Sequence, residues 1–121
     1  MRGFGDRTSK KNKRKNVKEV FTDANKNQIY IKATENHLKG NIEEAKKYYQ
    51  IFIDNGFIDH RVFLNYGMIF HQLSNFKKAE EFYLNSINLV SDNPIAYFNL
   101  GNIFVEKKEF HKAIIFFTKA I

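Results

Sequence analysis

Three alanines, Ala45, Ala79 and Ala113, stand 34 residues apart, and the residues around them repeat one pattern of side-chain sizes. A fixed period of this length is typical of stacked helical hairpins, because a single hairpin cannot bury its apolar face without a neighbour. The register divides the chain into three copies, residues 26–59, 60–93 and 94–121, of which the third is shorter than a full period. We therefore predict an all-α solenoid of three helix-turn-helix units, the last of them incomplete.

Small and large residues recur at fixed places within the copies. The eighth position is small and the twenty-fourth is aromatic: Ala33, Gly67 and Gly101, then Tyr49, Tyr83 and Phe117. The third copy has the fullest pattern, in which Leu100-Gly101 is accompanied by aromatic and small residues: Tyr97, Phe104, Ala113, Phe117 and Ala120. This pattern resembles the tetratricopeptide repeat (TPR) over residues 26–121. The resemblance implies a right-handed superhelix in which the first helix of each copy lines a concave groove.

Helix signals agree with this register. We predict helices near 26–39, 42–54, 60–73, 76–90, 94–107 and 110–121. Asn41 with Glu44 has the form of a capping box, and Asp59 has the form of a helix cap. Gly56 is expected to end a helix in the left-handed conformation, and Pro94 is expected at the first position of a helix.

The N-terminal segment differs from the copies in charge. Residues 1–18 contain eight basic residues and one acidic residue, whereas the other 103 residues contain 12 of each. Such a segment has too few apolar residues to offset the entropy of ordering, so we predict that residues 1–25 form a disordered basic leader. A solubilising role or weak nonspecific contact with anions is expected, with nucleic-acid or anionic-surface binding as an alternative. The lack of a secretory signal or a membrane-spanning run favours the cytoplasm.

Chemical motifs are scarce in this sequence. The chain has no cysteine, which excludes disulfides, thiolate zinc sites and cysteine nucleophiles. It also has no phosphate-binding loop, nucleophile elbow or dinucleotide fingerprint. We expect no catalytic residue, no metal site and no cofactor, and we look for function in binding to a protein or peptide.

The TPR resemblance implies which residues would line the groove. Carried onto this chain, the inner positions include Tyr30, Thr34, His37, Arg61, Leu64, Asn65, Met68, His71, Ile95, Phe98, Asn99 and Asn102. Asn65 and Asn99 recur at the same position and look like part of the asparagine ladder in the repeats of protein O-linked N-acetylglucosamine transferases. The cationic clamp by which related repeats bind chaperone tails is absent, because Tyr30, Ile95 and Asn99 stand at its cation positions and Thr34 stands at one of its amide positions.

The end of the third copy is unusually apolar. Ile114, Phe117 and Ile121 are predicted to form an exposed stacking face, where soluble arrays normally have a polar capping helix. We expect either further repeats or a C-terminal domain beyond this face, or a subunit or partner bound to it. The main functional hypothesis is a protein-interaction scaffold. The alternative is the substrate-recruiting front end of a larger glycosyltransferase or sulfotransferase, as in bacterial proteins that combine TPRs with such domains.

Overall fold

The computed structural model describes residues 23–121, and this part of the chain consists of helices and turns without a strand. The helices are α1 (Asp23–Leu38), α2 (Ile42–Asp54), α3 (His60–Gln72), α4 (Phe76–Leu89), α5 (Pro94–Glu106) and α6 (Phe110–Ala120). They confirm the all-α prediction and all six predicted helices. The predicted leader lies outside the described residues, apart from residues 23–25, where α1 already begins.

The helices pair as three hairpins that belong to two compact units. The unit Met1–Phe57 contains α1 packed against α2. The unit Ile58–Ile121 contains α3 packed against α4 and α5 packed against α6. Within this second unit α5 also packs against α4 and contacts α3, so its two hairpins share one core.

Helix caps follow the sequence signals with one exception. The Asp59 carboxylate accepts a hydrogen bond from the backbone N–H of Arg61 at 2.9 Å, and Pro94 begins α5 behind the cap residue Asn93, as predicted. The predicted capping box at Asn41 is wrong, because the Asn41 side chain caps no N–H of α2. Its Nδ2 instead donates to Oδ1 of Asn36 at 3.2 Å.

The turn inside each hairpin has the same backbone geometry. Gly40, Ser74 and Lys108 are equivalent in the 34-residue register and have φ values of 81°, 61° and 61°. In all three turns the next residue donates its N–H to the carbonyl five residues back, at 2.8 Å, which is the Schellman arrangement. Only the first turn uses glycine, so Ser74 and Lys108 adopt the left-handed conformation at a steric cost.

The small residues of the register allow close contact between paired helices. A Cβ placed on Gly67 would lie 2.8 Å from Cδ1 of Tyr83, and a Cβ on Gly101 would lie 2.5 Å from Cδ1 of Phe117. Ala79 and Ala113 are buried on the opposite helices. Each glycine therefore makes room for the aromatic ring that the sequence places at the twenty-fourth position of the same copy.

A buried polar network connects the two hairpins of the second unit. The Ser86 hydroxyl donates to the carbonyl of His60 at 2.8 Å and accepts a hydrogen bond from Nδ2 of Asn93 at 2.9 Å. Both side chains are buried, and their polar groups are satisfied by these contacts. The network holds the start of α5 against α4.

Candidate functional site

In the first unit the predicted groove residues make local contacts within their own hairpin. The Thr34 hydroxyl donates to the carbonyls of Tyr30 and Ile31, each at 3.0 Å. Nδ1 of His37 lies 3.1 Å from the hydroxyl of Tyr49, and burial lowers the pKa of His37 below its ordinary value of 6.5. The hydroxyl of Thr34 and one ring nitrogen of His37 are therefore already engaged.

In the second unit α3 provides Arg61, Leu64, Asn65, Met68 and His71. Arg61 makes a two-point ion pair with Asp59, with Nε to Oδ1 at 3.0 Å and Nη2 to Oδ2 at 2.7 Å. Leu64 is only 8% exposed and offers little surface, whereas Met68 is exposed. The His71 ring packs edge-on against the rings of Phe76 and Tyr83.

The ion pair of Arg61 governs the charge at this end of α3. Burial by itself would raise the pKa of Asp59, but the hydrogen bonds and positive charge of Arg61 outweigh it and hold the pKa below its ordinary value. Asp59 is thus ionised at neutral pH and holds the guanidinium. The positive charge of Arg61 is accordingly paired with the Asp59 carboxylate of the same chain.

The adjacent first helix α5 provides Ile95, Phe98, Asn99 and Asn102. Ile95 and Phe98 are 58% and 52% exposed, which is high for large apolar side chains, and the two asparagines are half-buried. Since α3 and α5 contact each other, we infer that the groove positions of both helices share one surface. We call it the α3/α5 surface and define it by Asn65, Met68, His71, Ile95, Phe98, Asn99 and Asn102.

Asn65 and Asn99 stand at equivalent positions of neighbouring helices. Both are half-buried, and within residues 23–121 neither side-chain amide has a hydrogen-bond partner. Asn36, Asn55, Asn75 and Asn93, in contrast, all use their side chains in hydrogen bonds inside the chain. The two amides on the α3/α5 surface therefore keep both their donors and their acceptors available to a ligand.

A second surface lies at the end of the α5/α6 hairpin. We call it the end surface, a depression of 540 Å³ lined by Pro94, Ile95, Phe98, Phe117, Ala120 and Ile121. Of the residues predicted for a stacking face, Ile121 is fully exposed within this depression and Phe117 is half-buried there. Ile114 is 61% exposed but does not line it. Ile95 and Phe98, predicted only as groove residues, also line this depression, and so do Pro94 and Ala120, which were not predicted as site residues.

The second and third copies match a known family model. The model described as tetratricopeptide repeat matches residues 60–93 and 95–121, which together make up half of the chain. This chain belongs to the tetratricopeptide repeat family. The two matches coincide with the second and third TPR copies of the 34-residue register. For the first copy, the structure gives a hairpin of α1 and α2 with the same Schellman turn.

Solved structures share this TPR fold. PcrH in complex with the chaperone binding region of PopB is 19% identical, with 84% of this chain and 82% of that chain covered and a TM-score of 0.77. The Yersinia enterocolitica type III secretion chaperone SycD, in complex with a peptide of the translocator YopD, is 21% identical, with 84% and 77% covered and a TM-score of 0.77. The TPR domain of Arabidopsis OM64 is 18% identical, with 78% of each chain covered and a TM-score of 0.73.

No curated protein matches this TPR chain in sequence. Among residues 23–121 no helix has both the length and the apolar composition needed to cross a membrane.

Proposed function

We propose that this chain is a protein-interaction scaffold that binds an extended peptide segment of a partner protein on the α3/α5 surface. The observation that carries the proposal is the pair of amides of Asn65 and Asn99. They stand at equivalent positions on adjacent helices, and neither has a hydrogen-bond partner within residues 23–121. A primary amide can donate to a peptide carbonyl and accept from a peptide N–H, so two of them hold an extended backbone without selecting its side chains.

The residues around the two amides indicate what kind of peptide fits. Met68, Ile95 and Phe98 are exposed beside them and provide apolar contacts for alternate side chains of the ligand. The nearby guanidinium of Arg61 is held by Asp59 and is therefore a weak partner for a carboxylate. The surface favours a peptide with apolar side chains over an acidic one.

Structures with the same fold support a peptide as the class of ligand. PcrH has been solved with the chaperone binding regions of PopB and PopD, and SycD with a peptide of YopD. These structures are about one-fifth identical to this chain. We therefore propose for this chain a peptide ligand, and no particular partner.

The test uses peptides selected from a displayed random library on the full chain. Asn65→Ala and Asn99→Ala are each expected to weaken binding about five- to tenfold, the equivalent of one to two lost hydrogen bonds, as measured by fluorescence anisotropy. Asn88→Ala is the matched control, because Asn88 is an exposed asparagine on α4, the second helix of its hairpin, and is not part of the α3/α5 surface. Selected peptides that bind the Asn65→Ala/Asn99→Ala protein as tightly as the unchanged protein would contradict the proposal.

Four finer points accompany this proposal. We infer that residues 23–121 bind without catalysing a reaction, and that the cytoplasm is the compartment in which they do so. Weak contact of the basic leader with anions stays a prediction about residues that the structure does not describe. The role as the recruiting part of a larger transferase also stays a prediction, since no described residue bears on it.

A further inference from the structure

A histidine at the twelfth position and a tyrosine at the twenty-fourth occur together in the first two copies, and both are replaced in the third. The three pairs, in chain order, are His37 with Tyr49, His71 with Tyr83, and Val105 with Phe117. An imidazole nitrogen and a phenolic hydroxyl are natural hydrogen-bond partners, whereas valine and phenylalanine have no side-chain polar group. The joint change indicates that the two side chains serve one hydrogen bond.

In the first unit this hydrogen bond is formed. Nδ1 of His37 lies 3.1 Å from the hydroxyl of Tyr49, and the two rings meet edge-on with their centroids 5.9 Å apart. Tyr49 is completely buried, so His37 provides a partner that bulk water cannot provide. The second copy has the same residue types at the same positions and can form the same bond.

In the second unit the bond is open. The Tyr83 hydroxyl is buried and has no hydrogen-bond partner within residues 23–121. Burial also raises the pKa of Tyr83, so the hydroxyl keeps its proton at neutral pH and needs an acceptor for it. A buried donor without an acceptor has lost its hydration and gained nothing in exchange. The free chain therefore holds a polar group whose hydrogen bond is still to be made.

The ring of His71 is the nearest candidate for that acceptor. Its centroid lies 6.5 Å from that of Tyr83, but the ring packs edge-on against Phe76, at 5.6 Å between centroids. Among the described residues the ring nitrogens of His71 have no hydrogen-bond partner, and the residue is half-buried. In the free chain water can therefore hydrate the ring, and little is gained by turning it inward.

We propose that a peptide bound on the α3/α5 surface turns the His71 ring onto the Tyr83 hydroxyl and so completes the second hydrogen bond. The inference rests on the proposed function, because His71 belongs to that surface. Met68, which is exposed, stands three residues before His71 and thus on the same side of α3. A peptide that covers Met68 also removes water from His71, and the hydroxyl of Tyr83 then becomes the partner of its ring.

Tyr83 is in this view a positioning residue. Its hydroxyl contacts no ligand, but it fixes the orientation of the histidine ring that the peptide meets. The two buried tyrosines thus differ in where their hydroxyls act. The hydroxyl of Tyr49 stabilises the free chain, whereas the hydroxyl of Tyr83 strengthens the bound state.

The variants Tyr49→Phe and Tyr83→Phe test this difference, because each removes one hydroxyl and keeps the ring. Tyr49→Phe breaks an existing hydrogen bond, so the urea midpoint should fall while peptide affinity stays within twofold. Tyr83→Phe removes an unsatisfied polar group, so the midpoint should stay or rise. Its affinity for the library-selected peptides, measured by fluorescence anisotropy on the full chain, should fall about three- to tenfold.

Nitrogen NMR of the histidine rings follows the bond itself. The signals of His37 should differ between the free unchanged chain and free Tyr49→Phe. The signals of His71 should be the same in free unchanged chain and free Tyr83→Phe, and should differ between them once peptide is bound. A side chain with only a structural role would not produce a difference confined to the bound state.

Three results would overturn the inference, and they are distinguishable from one another. A Tyr83→Phe chain that loses as much stability as Tyr49→Phe means that the second bond already exists without a ligand. Unchanged affinity of Tyr83→Phe, together with weaker binding in Asn65→Ala and Asn99→Ala, means that the hydroxyl has no part in binding while the peptide site stands. If no selected peptide depends on either asparagine, the proposed function fails and this inference fails with it.

Discussion

Replacing Gly67 by alanine tests why the eighth position of each copy has a small residue. We expect that the paired helices lie too close together there to accept a larger side chain. The added Cβ would lie 2.8 Å from both Cδ1 and Cε1 of Tyr83, a separation that real Cβ atoms essentially never show. Tyr83 is completely buried, so its ring cannot move into solvent as the ring of an exposed residue could. Overpacking of this kind costs about 1–3 kcal/mol, while exchanging glycine for alanine in a helix returns about 1 kcal/mol. Because two ring atoms of a buried side chain are involved, we expect a cost of about 2–3 kcal/mol and a net fall in the free energy of unfolding of about 1–2 kcal/mol.

Gly101→Ala provides the contrast. The contact with Phe117 is closer, at 2.5 Å to Cδ1 and 2.9 Å to Cζ, but Phe117 borders the open end surface and can swing into it. The small cost of displacing the ring and the gain in helix propensity nearly cancel, so we expect a change within about 0.5 kcal/mol. The freedom of the ring to move, more than the distance, decides the cost.

Urea unfolding followed by circular dichroism measures both variants, with the midpoint as readout and the slope as a check on the unfolded state. Ala33→Gly is the matched control, because Ala33 is the equivalent residue of the first copy; it removes helix propensity and a buried methyl group, so we expect a loss of at least about 1 kcal/mol. A Gly67→Ala protein as stable as the unchanged one would refute the argument from close contact.

Other predictions concern turns, pH and charge. Ser74→Gly and Lys108→Gly should each stabilise the chain by about 0.5–1 kcal/mol in urea unfolding, because both residues have positive φ, and Gly40→Ser should do the opposite. A destabilised glycine variant would contradict this explanation. Burial lowers the pKa of His37, so the unfolded state binds the proton more readily and stability should fall as the pH drops below about 6.5. His37→Gln should flatten that pH dependence in thermal unfolding, and an unchanged slope would count against it. Deleting residues 1–18 should abolish any binding to heparin, and that binding should fall steeply with salt; salt-insensitive binding would exclude an ionic contact.

The register predicted the helices well because size and spacing are local properties. Ala45, Ala79 and Ala113 gave the period, and five of the six helices begin at the predicted residue, whereas α1 begins three residues earlier. The capping box predicted at Asn41 does not form, because the Asn41 side chain has a different partner. Asn36 is close enough to accept from Asn41, and only the first copy has a polar residue at that place, since Phe70 and Phe104 occupy it in the others.

The candidate site was harder to predict from the sequence than the helices. Leu64 and Phe98 occupy the same position of their copies, yet one is buried and the other exposed. Position within the copy does not reveal whether another helix covers the residue. The availability of Asn65 and Asn99 likewise depends on which side chains surround them. Whether either residue contacts a ligand stays a prediction.

The exposed side chains of Gln28 and Glu35 make the two ends of the array unequal as places to add a further hairpin. A duplicated hairpin placed after α6 would find the apolar counterpart of a surface already used within the second unit. A hairpin placed before α1 would have to bury an amide and a carboxylate at positions that are apolar in the other copies, Val62 and Ile69, then Ala96 and Ile103. Lengthening at the front therefore requires substitutions at Gln28 and Glu35, whereas the face at the back is already apolar. Insertions of whole copies, in evolution or in the laboratory, should accordingly be tolerated at one end first.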